Sequence, residues 1–120
     1  MTTVNRDDAV RMIAERVMGW RYVGGLPDRY AHGRHTTFFA PDTCNSDALE
    51  MLLATKQNWR FDAATEELKA AVWFERISYA IGYGETFAEA AFAAVCGMLG
   101  VGWNNDAYHK IKDAHTFLKE

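Results

Sequence analysis

The apolar residues of this chain change period as it is read. Val10, Ile13, Ala14 and Val17 recur at helical spacing, Trp59-Arg60-Phe61-Asp62-Ala63 alternates aromatic with polar, and Ala88, Ala91, Phe92, Val95 and Leu99 return to a helical stripe. A period near 3.6 buries one side of a helix, whereas a period of 2 buries one face of a strand. A chain that interleaves the two must lay helices against a sheet, and 120 residues give room for one such domain. The expectation is a single α+β domain over residues 1–120, with about four helices on a small antiparallel sheet of three to four strands.

Local signals mark the boundaries. Asn5 can cap a first helix whose positive end suits Asp7 and Asp8, and Gly19 stands where a left-handed stop is expected. Trp20 to Val23 reads as a short strand. Cys44-Asn45-Ser46-Asp47 opens a second helix with Ala48, Leu49, Leu52 and Leu53 on its apolar face, ending near Lys56. Residues 59–63 and 71–79 read as a hairpin turning at Ala64-Thr65-Glu66-Glu67, and Ile81-Gly82-Tyr83-Gly84-Glu85 reads as a break. Thr86-Phe87-Ala88-Glu89 is a capping box opening the third helix, which stops at Gly100. Asn104 and Asn105 can cap a fourth, with Ala107, Ile111, Ala114 and Leu118 as its stripe. Between Gly24 and Cys44 no period is legible, although Thr36 to Phe39 reads as extended up to Ala40-Pro41-Asp42, and so long an irregular stretch in a small domain points to a binding segment.

Composition excludes several classes. Apolar residues at 49% and charged residues at 24% are those of an ordinary globular domain, not of a disordered chain. The net charge of −3 argues against a protein that coats nucleic acid, so direct nucleic-acid binding is not expected. No stretch reaches the ~20 apolar residues of a membrane span. The longest apolar region, Phe87 to Val101, is interrupted by Glu89, Gly97 and Gly100. The start, Met1 to Asp8, lacks the apolar run of a signal peptide, so a cytoplasmic protein with two reduced thiols, Cys44 and Cys96, is expected.

No catalytic grammar emerges, and neither a metal nor a cofactor is expected. His32-Gly33-Arg34-His35 has the spacing of half a zinc site, but no second pair exists and Arg34 would repel a cation. His109 and His115, six apart on a helix, face different ways. Cys44 precedes a helix start that favours a thiolate, yet no histidine partner can be named for it. Gly82-Tyr83-Gly84-Glu85 lacks the third glycine and the Lys-Ser/Thr pair of a phosphate loop.

What stands out is the segment from Arg29 to His35. Arg29, Tyr30, His32, Arg34 and His35 fall within seven residues of an acidic chain. Cations interleaved with an aromatic suit a phosphate, an acidic protein surface or a stacked base. One reading is a surface for a protein partner. The other is a sponge for a nucleotide signal, with Arg29, Arg34 and the histidines on phosphates and Tyr30 or Trp20 stacked on the base.

Met18-Gly19-Trp20, Cys44-Asn45-Ser46-Asp47-Ala48, Trp59-Arg60-Phe61 and Glu85-Thr86-Phe87-Ala88-Glu89-Ala90-Ala91 occur in an order that resembles the phage ABA-sandwich domain group and the related NinX-type proteins of phages and prophages. The resemblance runs over residues 7–99. It implies a helix/sheet/helix layering and a viral accessory gene, and it carries no catalytic residue across. With the acidic balance, it points to a protein that binds and modulates a host protein or protein–nucleic acid complex, such as a CRISPR effector of host defence. In the final helix, Tyr108, His115 and Phe117 widen the apolar surface beyond one stripe, so a homodimer anchored by Trp103 and Phe117 is expected.

Overall fold

A computed structural model describes residues 2–63 and 70–103. Over these residues the chain is α+β, and it holds more strand than the sequence predicts. A three-residue strand β1 (Thr2–Val4) leads into helix α1 (Arg6–Arg16), where Asn5 Oδ1 accepts from the Asp8 amide at 2.8 Å and Ala9, Val10, Ile13 and Ala14 are buried. Gly19, at φ +72°, turns the chain out of the helix, and the Trp20 amide reaches back to the Ala14 carbonyl at 2.8 Å. That bond delivers Trp20 onto the core, where it is 7% exposed.

The short strand expected over Trp20 to Val23 is β2 (Arg21–Gly24), and the stretch expected to be irregular after it supplies β3 (Arg29–His32) and β4 (His35–Phe38), the three forming an antiparallel meander. His32 and His35 are register partners, so Gly33 and Arg34 form a two-residue turn, with Gly33 at φ +63° in its first place. The strands escape a polarity count because burial and polarity disagree along them. Within β3 only Tyr30 is buried, flanked by exposed Arg29 and partly exposed Ala31.

Helix α2 (Asn45–Ala54) follows, with Ala48, Met51 and Leu52 buried and no side-chain cap at Cys44. Asp47 accepts from the Ala40 amide at 2.9 Å and fixes the entry loop. The same loop is held to α1 by Arg6, whose Nε and Nη2 donate to Asp42 Oδ2 and Oδ1 at 2.9 and 2.7 Å. This two-pronged contact raises the Arg6 pKa above its ordinary value.

The second sheet has the order β5-β6-β7, made of β5 (Trp59–Ala63), β6 (Ala70–Phe74) and β7 (Ile77–Gly84). The single returning strand expected over 71–79 is therefore two strands, turning at Glu75-Arg76, and of the break expected at 81–85 all but Glu85 belongs to β7. Helix α3 (Phe87–Met98), with Thr86 Oγ1 accepting from the Glu89 amide at 3.1 Å, lies on β6 and β7. Every residue from Ala90 to Cys96 is buried because α3 also meets α1 and α2 on its other sides. A helix apolar all round belongs at the centre, not on a surface. The last strand described, β8 (Val101–Trp103), pairs in parallel with β1.

Where one sheet of three to four strands is expected, the described residues form two three-stranded antiparallel sheets and a parallel pair. Three helices are present among the described residues; the predicted fourth, with Phe117, and the predicted turn at 64–67 lie outside them. No helix among the described residues is long and apolar enough to cross a membrane.

Candidate partner-binding face

The β2–β4 meander has two unlike faces, assigned by its register. Tyr22, Tyr30 and Thr37 are cross-strand partners on the inner face, while Arg21, Ala31 and Thr36, and likewise Arg29 and Phe38, are partners on the outer one. The inner face is aromatic. Tyr30 is 1% exposed, its ring 5.6 Å from Tyr22 and 6.3 Å from Phe39, and Trp20 packs at 5.1 Å on Phe39. Burial raises the Tyr30 phenol above its ordinary pKa, as expected where charge is poorly solvated. Arg11 of α1 stacks 3.7 Å over the Tyr22 ring, and Tyr22 donates to Asp28 Oδ1 at 3.0 Å.

The outer face is basic and apolar together. Arg29 places its guanidinium 5.1 Å from the ring centroid of Phe38, which is 52% exposed. Val23 and Leu26 are exposed beside the turn leading into β3, and Arg21 and Arg34 are exposed on β2 and at the hairpin tip. Residues 20–39 hold three Arg and one Asp, a charge of +2, so the rest of a chain of net −3 carries −5. The single acid in the segment, Asp28, is engaged by Tyr22.

Of the residues singled out in the sequence, Arg29, Arg34, His32 and His35 are exposed, and Trp20 and Tyr30 are core. Adjacent strand residues point to opposite faces, so Arg29 and Tyr30 lie on opposite faces of the meander. His32 lies on the inner side, its ring 5.2 Å from Trp20. His32 and His35 are neighbours across the hairpin, and among the described residues no group of three or more His, Cys, Asp or Glu could hold a metal. Trp103 pairs through its backbone with Val4, and Phe117 lies outside the described residues. Sequence reading did not single out Arg21, Val23, Leu26 and Phe38, which join the face only through the register and the turns of β2, β3 and β4.

The two thiols differ sharply. Cys96 is 2% exposed and burial pushes its pKa up to about 12, whereas Cys44, before α2, is only partly buried. A thiol-specific chromogenic reagent at neutral pH is expected to modify Cys44 in the folded protein and Cys96 only after denaturation. Equal rates for both in the native state would contradict this placement.

Comparison with family models, with curated proteins and with solved structures returned no match to the chain.

Proposed function

We propose that this chain is a binding protein with no catalytic chemistry of its own, docking the outer face of β2–β4 on an acidic protein surface. The observation that carries the reading is the segregation of charge. Arg21, Arg29 and Arg34 lie in the same three-strand segment as exposed Val23, Leu26 and Phe38, on a chain that is otherwise acidic. Exposed apolar side chains interspersed with arginine suit a protein interface, where desolvated rings supply affinity and charge supplies orientation and speed. The nucleotide reading loses its stacking rings, since Trp20 and Tyr30 are both buried. The resemblance to the phage ABA-sandwich group supports a place among phage and prophage accessory proteins. On that footing the partner is a component of the host cell, and a defence effector of the CRISPR kind is the target we favour.

The test is retention of a host protein from bacterial lysate on immobilised chain at low salt. Combined Arg21→Glu, Arg29→Glu and Arg34→Glu is expected to weaken retention by about tenfold or more, because three cations become like charges to the partner. These side chains are exposed, so the melting temperature is expected to hold. A wild-type chain that retains nothing, or a triple variant that retains as much as wild type, would sink the reading.

A further inference from the structure

Strand β5 is an edge of its sheet, paired to β6 on one side and to no described strand on the other. An open edge presents unpaired backbone groups to another strand, and proteins usually guard such edges with charges that repel. Here the charges do the opposite. In Trp59-Arg60-Phe61-Asp62-Ala63 the signs are arranged about Phe61, so a second copy running antiparallel with Phe61 on the two-fold axis sets Arg60 opposite Asp62, and Asp62 opposite Arg60. The same register sets bulky Trp59 opposite Ala63. Centring the pair on residue 60 or 62 would face like charges, so one register is selected.

The surroundings favour closure as well. Phe61 is 43% exposed although its ring packs edge-on against Phe87 at 5.1 Å, and Trp59 lies 5.9 Å from the same ring. Beside Trp59, Leu53 of α2 is 64% exposed and lines a shallow depression with Trp59, Arg60 and Glu75. A second copy would cover this aromatic edge. Arg60 Nε donates to Glu75, which leaves its Nη atoms for the partner's Asp62, and Asp62 is exposed with no ion pair among the described residues.

We infer that the chain forms a two-fold dimer through β5–β5 pairing centred on Phe61, joining two three-stranded sheets into one of six strands. The interface uses none of the residues of the basic face, so its fate is independent of the proposed function. It also differs from a dimer built on Phe117.

Sedimentation at tens of micromolar tests it. Wild type sediments as a dimer, and Asp62→Arg and Arg60→Asp, each placing two like-charge pairs in the interface, dissociate about tenfold or more readily. An equimolar mixture of the two variants restores dimers, and native mass spectrometry finds them to be one-to-one heterodimers, because each pair is again of opposite sign. Circular dichroism checks that each variant is folded. Should Arg60→Asp lose its fold with the Glu75 contact, the dissociation of Asp62→Arg alone decides. A monomeric wild type, an Asp62→Arg dimer as tight as wild type, or a mixture of folded variants that stays monomeric overturns the inference. So does a dimer lost on Phe117→Ser but kept in both charge variants.

Discussion

Gly82→Ala is expected to destabilise the domain by about 3 kcal/mol or more, a large part of the roughly 5–15 kcal/mol that holds a domain folded. A methyl at this position would overlap the Ala90 carbonyl oxygen and the Ala94 amide nitrogen of α3, with the Ala93 carbonyl carbon at 2.9 Å. All three are backbone atoms of a helix buried around its circumference, so no side chain can swing aside. Relief requires α3 to rise off β7, and Val72 and Phe74 would lose contact with it. Gly84 repeats the constraint one step on, where a methyl would meet the Ala90 amide at 2.9 Å. Gly100→Ala is the control. Gly100 has φ +72° and nothing within 4 Å of an added methyl, so only left-handed strain of roughly 1–2 kcal/mol is expected. Urea melts of both variants decide the matter, and equal losses would mean that α3 and β7 are not in this close contact.

The same glycine shows where the sequence was legible and where it was not. The helices could be read because their signals are local: Asn5 and Thr86 cap as their side chains dictate, and Gly19 stops α1 at its left-handed φ. Gly82 and Gly84 carry no such local meaning. They resemble a turn, but their smallness serves a helix packed across the strand, a tertiary reason invisible in a window of neighbours. Glu75-Arg76 turns the chain without glycine, proline or asparagine, so the hairpin β6–β7 was hidden inside one apolar run. The candidate face suffered the same way. Its cations were visible as a cluster, but which of them share a surface with which ring depends on register, and register needed the Gly33 turn to be recognised.

Tyr30→Ala is the second large effect expected, about 3–5 kcal/mol by analogy with other buried aromatic truncations. The ring is 1% exposed and joins the meander to Tyr22 and Phe39, and through Phe39 to Trp20. Removing it leaves a cavity between the sheet and α1 that the stiff strands cannot collapse to fill. Because the outer arginines are held in place by these strands, binding should be lost together with stability. Tyr30→Phe separates packing from contact: it keeps the ring, so stability within about 1 kcal/mol of wild type and unchanged partner retention are expected. Arg29→Glu gives the converse, retention weakened with the melt unmoved. If Tyr30→Phe abolished retention while the melting temperature held, the Tyr30 hydroxyl would have to touch the partner, and the division of the meander into a core face and a binding face would be wrong.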